Sequence, residues 1–211
     1  MATDEPGRRR YRGVSEEQRR AERRARLVAA GVAVFGGEGY HAATVKAVCA
    51  AAGLTERYFY ESFANREALL LAAYAHVIGG LRARIVAALL RAAPTPEAVT
   101  RAGLEEFFAA MRDDPAGARL LLLEVLGVSA AVDRAYHDAL REFRGLVQSA
   151  QELVRPGAQG DGLDGELVAA GLVGAVVQLA HHWVVSGHAK PLQAVIDAAY
   201  AILIGVAHRR A

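Results

Sequence analysis

Apolar positions recur at three- and four-residue spacing along most of this chain, and no run sustains the alternation of a strand. Leu27, Gly31, Val34 and Phe35 form one such stripe. It follows Ser15-Glu16-Glu17-Gln18, a capping box in which hydroxyl and amide side chains satisfy the first free N–H groups of a helix. Gly36-Gly37 and Gly39 end that helix. Thr44 is placed to cap a short second helix with Val45, Val48 and Cys49 inward, Ala52-Gly53-Leu54 makes a turn, and Thr55 caps a third helix reaching about Tyr60. Asn65 opens a long helix with Leu69, Ala73, Val77, Leu81 and Ile85 on one face. Thr95-Pro96-Glu97 and Asp114-Pro115 each set an N-cap before a proline at the first helical position. Ser129 starts a helix ending near Val154, a loop runs over 157–164, and two further helices fall at about 165–186 and 191–209. The pattern predicts an all-α chain of about nine helices. A disordered basic arm spans 1–14, a three-helix unit 15–64, and a helical bundle 65–211.

Composition sharpens this picture in two places. Ala, Leu, Arg and Glu dominate, and hydrophobic residues make up 53% of the chain, so a packed helical core is expected and a disordered chain is not. Cys49 is the single cysteine, which leaves no internal disulfide and suits a reducing cytoplasm. The N-terminus leads into charged sequence where a signal peptide would be apolar. The longest apolar stretch, Leu167 to Ala180, is shorter than a bilayer span. A cytoplasmic chain with no membrane partner is the expectation.

Charge is unevenly divided. Residues 1–70 hold twelve Lys and Arg against nine acids, the rest thirteen against fourteen, and residues 1–26 alone carry nine arginines against five acids. A basic excess at one end is where an electrostatic footprint for nucleic acid would sit, although a solvated tail gives the same count.

The segment Tyr40 to Leu70 is the most informative. Two short helices joined by a glycine-containing turn form a helix-turn-helix, whose second helix enters the major groove. Cys49 is small enough for a close helix crossing, and Gly53 can adopt the positive φ of the turn. Val45, Val48, Leu54 and Phe59 supply the apolar face that locks the pair, which leaves Glu56, Arg57 and Tyr58 outward, with Glu56 suited to the positive helix N-terminus.

Through Gly39-Tyr40, Thr44-Val45, Val48-Cys49, Ala52-Gly53-Leu54-Thr55, Phe59-Tyr60, Phe63 and Arg66-Glu67-Ala68-Leu69, the segment resembles the DNA-binding domain of the tetracycline-repressor (TetR) family. The chain departs from that pattern at Arg57, where glycine is common, at Tyr58 for Thr, Arg66 for Lys and Cys49 for Ala. The first two bear on which operator is read. The resemblance implies a homodimeric transcriptional regulator that binds a double-stranded DNA operator, probed by Thr44, Tyr60 and Arg66 on phosphates. A hydroxyl, a phenol and a cation suit that role. Arg57 suits guanine, Tyr58 a thymine methyl or phosphate, Thr55 and Lys46 the backbone, and Arg8-Arg9-Arg10 with Arg12 a minor-groove arm. For Lys46 a plain solvated charge is an equal reading.

The resemblance also implies a dimer formed by the last two helices. Gly171, Gly174 and Ala175 with Gln178 share one face there, and Ala194, Ala198, Ala201 and Gly205 another. Small residues allow close helix approach, either between chains or within one. A small-molecule effector, apolar or aromatic, is implied among the middle helices. The candidate residues are Phe107, Phe108, Met111, Glu124, Gln178, His182 and Trp183, each aromatic having core packing as its alternative. Trp183 is expected on an inward stripe with Leu172, Val176 and Leu179, where a ligand would disturb the indole. No cofactor, metal or catalytic constellation is expected. His181 and His182 lie about 100° apart on a helix, and no glycine-rich phosphate loop occurs. The reading is a DNA-binding regulator, a repressor released by a hydrophobic ligand, and not an enzyme. The other reading is a helical ligand carrier or enzyme in which the helix-turn-helix-like segment only packs.

Overall fold

The structure, a computed structural model, describes residues 15–154 and 164–209; the expected arm at 1–14 and nearly all of the 157–164 loop lie outside the described residues. Among the described residues there are nine α-helices and no strand. They are α1 (Glu16–Glu38), α2 (Val45–Ala52), α3 (Glu56–Ser62), α4 (Arg66–Arg91), α5 (Pro96–Asp113), α6 (Pro115–Arg119), α7 (Ala130–Val154), α8 (Gly165–Val185) and α9 (Leu192–Arg209). A single π-turn, Leu120–Glu124, joins α6 to α7. It falls within a run of four leucines, where periodicity gives no sign of a change in helix type.

The caps form largely as their chemistry dictates. Ser15 and Gln18 close the capping box at α1, and Thr44, Asn65, Thr95 and Asp114 each accept an amide hydrogen from the first turn of the helix they precede. Thr55 is the exception: it holds the N-cap position of α3 with extended backbone, yet its hydroxyl makes no capping bond. Gly53 takes the left-handed conformation between α2 and α3, with φ +61°.

Helices α1 to α3 form a small head. A seven-residue helix such as α3 cannot persist alone. Phe59 holds it, fully buried in the cluster that contains Leu27, Phe35, Val48 and Cys49, with Phe63 stacked 5.9 Å away. Each large side chain buried this way contributes roughly 1.5–3 kcal/mol. The start of α4 then lies on α1, where Gly31 admits Leu69 so closely that a Cβ at Gly31 would stand 3.1 Å from its Cγ.

The remaining length of α4 runs into a bundle with α5 to α9. All of these helices except α6, together with the π-turn, line an apolar cavity of about 470 Å³ that runs along α4 from Tyr74 to Leu89. Helix α4, with mean hydropathy 1.4, and α8, with 1.6, are long and apolar enough to cross a membrane by length and composition. The expectation that no stretch was long enough is corrected for α8, whose apolar helix extends past Ala180 to Val185. Both helices bury one face in the bundle, and α4 carries Arg84, paired with Glu106 at 3.0 Å and Asp113 at 3.1 Å.

Head and bundle meet where the C-terminal end of α1 touches α6. A Cβ on Gly36 would stand 2.1 Å from the backbone oxygen of Ala116, so only glycine allows this approach. Gly36→Ala should therefore cost about 1–3 kcal/mol through forced displacement of α6, read as a drop in thermal midpoint of several degrees. Gly37→Ala is the control: a Cβ there meets nothing within 4 Å, and the change should be neutral or mildly stabilising.

Candidate nucleic-acid interface

The outward surface of the head is built by the start of α2 and one side of α3. Thr44, Lys46, Thr55, Arg57 and Tyr60 are all exposed there. Tyr60 meets the Phe59 ring edge-on at 5.2 Å yet shows 59% of its surface to solvent, an unusual state for a large aromatic ring. The Arg57 side chain is 83% exposed and is steadied by Glu61 one turn on, at 3.0 Å. Such a pair holds a guanidinium above the helix at little energetic cost and releases it easily to a stronger acceptor. Tyr58 is half-buried, with the Arg23 guanidinium 4.6 Å from its ring centroid, so its edge and hydroxyl flank the surface while its face belongs to α1.

Arg66, expected on phosphate, donates in this structure to the carbonyl oxygens of Tyr40, at 3.3 Å, and Ala43, and covers the Tyr40 ring at 5.2 Å. It binds the α1–α2 corner to the start of α4. The Arg-rich first helix is likewise not a free footprint. Arg20 donates to the Glu61 carbonyl at 3.2 Å and Arg26 to that of Ala52 at 2.5 Å, while Arg24 lies 4.9 Å from the Phe63 ring centroid. These cations satisfy carbonyls at the ends of α2 and α3 that the helices leave unpaired. Charge counting could not separate them from exposed cations, because the distinction depends on which face of α1 meets the head.

Cys49 is buried, and its thiol is pushed above the ordinary range, chiefly by burial and secondarily by Glu56. A protonated, enclosed thiol is a small core group and a poor nucleophile. Among the described residues no group of three or more His, Cys, Asp or Glu could hold a metal ion.

The bundle distributes the expected effector residues over three places. Phe107 and Met111 line the main cavity, together with Leu121, Leu122, Tyr136 and Val176. Phe108 and Trp183 do not. Phe108 is fully buried behind Phe107, and the indole packs on it at 6.0 Å while its Nε1 donates to the Lys190 carbonyl at 2.8 Å. The stripe assigned to Trp183 reaches the cavity at Leu172 and Val176 and has left it by Trp183, so the indole is no direct reporter of the cavity. Gln178 and His182 are exposed on the outward side of α8, and Gln178 borders only a separate recess of about 220 Å³.

Glu124 is also corrected, and its true position is informative. Its carboxylate accepts the Tyr40 backbone N–H at 3.0 Å and pairs with Arg119 at 3.4 Å, while Arg119 donates to the Gly36 carbonyl at 2.8 Å. Gly39, with φ +87°, leaves room for it. The π-turn that places Leu121 and Leu122 against the cavity therefore holds the last turn of α1 with its final residue.

Of the expected dimer residues, Gly171, Gly174, Ala194, Ala198, Ala201 and Gly205 are exposed and Ala175 is half-buried. A Cβ at Gly171, Gly174 or Gly205 meets nothing within 4 Å, so these small residues do not serve close packing within the chain. Leu167, Val185 and Ile202 are exposed alongside them.

Residues 27–73 match the family described as bacterial regulatory proteins, tetR family. No protein of curated function matches the sequence. Among solved structures, the fatty acid degradation regulator FadR from Bacillus halodurans is similar with a TM-score of 0.77 and 20% identity, over 92% of this chain and 97% of that one. FadR from Bacillus subtilis in complex with stearoyl-CoA gives 0.75 and 19% over 85% and 96%. A putative transcriptional regulator from Pseudomonas aeruginosa PAO1 gives 0.75 and 23% over 93% and 95%. At these identities the likeness establishes the fold.

The two cations of the head should separate in a melting experiment. Arg66→Ala removes a partly buried group from two carbonyls and should destabilise the chain by about 1–3 kcal/mol. Arg57→Ala should leave the thermal midpoint within about a degree, since exposed pairs contribute little. Equal midpoints for the two variants would return Arg66 to the outer surface.

Proposed function

We propose that this chain acts in the cytoplasm as a dimeric transcriptional regulator of the tetR kind, a repressor released from its operator by an elongated apolar ligand; the match of residues 27–73 to that family supports the reading. One observation carries this reading. The exposed α2–α3 surface is carried by α1, and the C-terminal end of α1 is held by Arg119 and Glu124, next to the cavity residues Leu121 and Leu122. In the DNA complex Arg57 reads a base edge, Thr44, Lys46, Thr55 and Tyr60 meet the backbone, and Tyr58 stands at the rim. The cavity suits an elongated, mainly apolar ligand, and the similar FadR from Bacillus subtilis was solved in complex with stearoyl-CoA.

Two copies associate through the outward faces of α8 and α9, where Gly174 and Ala198 admit a neighbouring helix and Leu167, Val185 and Ile202 lose water. A ligand displaces DNA only by preferring the non-binding arrangement of the two heads. It acts first on Leu121 and Leu122, and the π-turn passes that shift to Tyr40 and Gly36 through Glu124 and Arg119.

Mobility shift of DNA from upstream of the chain's own gene tests the function directly. Lys46→Ala should flatten the dependence of log K on log salt by about one unit, and Arg57→Ala should relax base preference at one position per half-site in a randomised selection. Glu124→Ala should keep ligand binding while the ligand loses most of its effect on DNA affinity. Retention of full coupling in that variant would remove the corner from the mechanism. Gly174→Arg and Ala198→Arg should sediment as monomers that no longer bind operator; intact dimers for both would move the interface elsewhere.

A further inference from the structure

The apolar cavity holds a polar group for which the protein supplies no partner. Tyr74, on α4, is 4% exposed and lines the cavity, and among the described residues its hydroxyl makes no hydrogen bond. Burial, reinforced by Tyr136 and Glu142, raises its ionisation well above the ordinary phenol range, so it is a neutral hydroxyl able both to donate and to accept. The hydroxyl is not fully enclosed in the free protein, and a ligand that seals it from water without pairing it incurs the cost of an unmade hydrogen bond.

Its position along the cavity gives that cost a direction. Tyr74, Met111, Leu121 and Leu122, all buried, form the inner end beside the π-turn, whereas Gln148 and Glu152, both exposed, lie at the outer end. From Tyr74 to Leu89, which also lines the cavity, α4 rises about 22 Å. A ligand filling that length places its inner end against Tyr74. A methyl terminus there would strip water from the hydroxyl and offer nothing in return. No Lys, Arg or His lines the cavity among the described residues, so an ionised carboxylate at the inner end would also be unpaired. A neutral oxygen satisfies both conditions.

We propose that the ligand of this cavity is an elongated, uncharged, apolar molecule with a hydroxyl or carbonyl oxygen at its inner end, and that Tyr74 selects it by hydrogen bonding to that oxygen. This rests on the effector reading of the cavity and narrows it. A plain saturated chain inserted methyl-first is discriminated against, because a site built to pair a hydroxyl rejects an analogue that lacks it. The same oxygen would sit beside Leu121 and Leu122, next to the turn that holds the head.

The test is a double comparison on the full-length protein without DNA. Wild type and Tyr74→Phe are titrated with 4-heptylphenol and with heptylbenzene, by displacement of a fluorescent apolar dye, and the free proteins are melted. The phenylalanine variant should melt no lower than wild type. It should bind 4-heptylphenol about tenfold more weakly and heptylbenzene equally well. Equal loss for both probes, no loss for either, a lower melting point of the free variant, or no binding of either probe to wild type would each overturn the proposal. Operator binding is measured separately. A positive result here with no effect of 4-heptylphenol on the DNA complex would leave the Tyr74 site standing and count against release by ligand.

Discussion

The approach of α1 to α6 is the contact on which the rest of this structure depends. Gly36 has no side chain to keep the Ala116 backbone away, and the resulting gap is narrow enough for Arg119 to reach the Gly36 carbonyl. Arg119 in turn holds Glu124, and Glu124 takes the amide of Tyr40. Two polar contacts thus cross from the head to α6 and the π-turn beside the cavity, and the Arg119–Glu124 pair links them. Packed interfaces of this kind switch between arrangements more readily than they deform.

The arginines of the head divide by geometry and not by sequence position. Arg20, Arg26 and Arg66 each donate to main-chain carbonyls, and Arg23 and Arg24 lie over aromatic rings. Guanidinium suits this work, since it is planar, permanently charged and more weakly hydrated than an ammonium. On the outward side of α2 and α3 the surface is modest: Lys46, Arg57 and the uncharged Thr44, Thr55 and Tyr60. Recognition by such a surface depends on shape and hydrogen bonding as much as on charge.

The bundle uses the two sides of α8 differently. Leu172, Val173, Val176 and Val177 line the cavity, while Gly171, Gly174, Gln178 and His182 face outward. An apolar inner side and a small, partly apolar outer side on one helix explain why α8 is long and hydrophobic enough to resemble a membrane span. Trp183 stands at the end of the inner side and closes the core against Phe108, with its N–H spent on Lys190.

Local chemistry in the chain was enough to determine the helices, most of their caps, the turn at Gly53 and the resemblance of the head to the tetR family, because capping, periodicity and positive φ act within a few residues. Thr44, Lys46, Arg57 and Tyr60 were legible as outward for the same reason. Cavity membership followed at Phe107 and Met111, and the outward small-residue faces of α8 and α9 were visible as stripes. The π-turn, the roles of Arg66 and Glu124, and the unpaired hydroxyl of Tyr74 were not. Each depends on a neighbour far along the chain: Tyr40 and Ala43 for Arg66, Tyr40 and Arg119 for Glu124, and the walls of five elements for Tyr74. A side chain's type limits what it can do, but its partner is chosen by how the helices cross, and that choice exists only in the packed molecule.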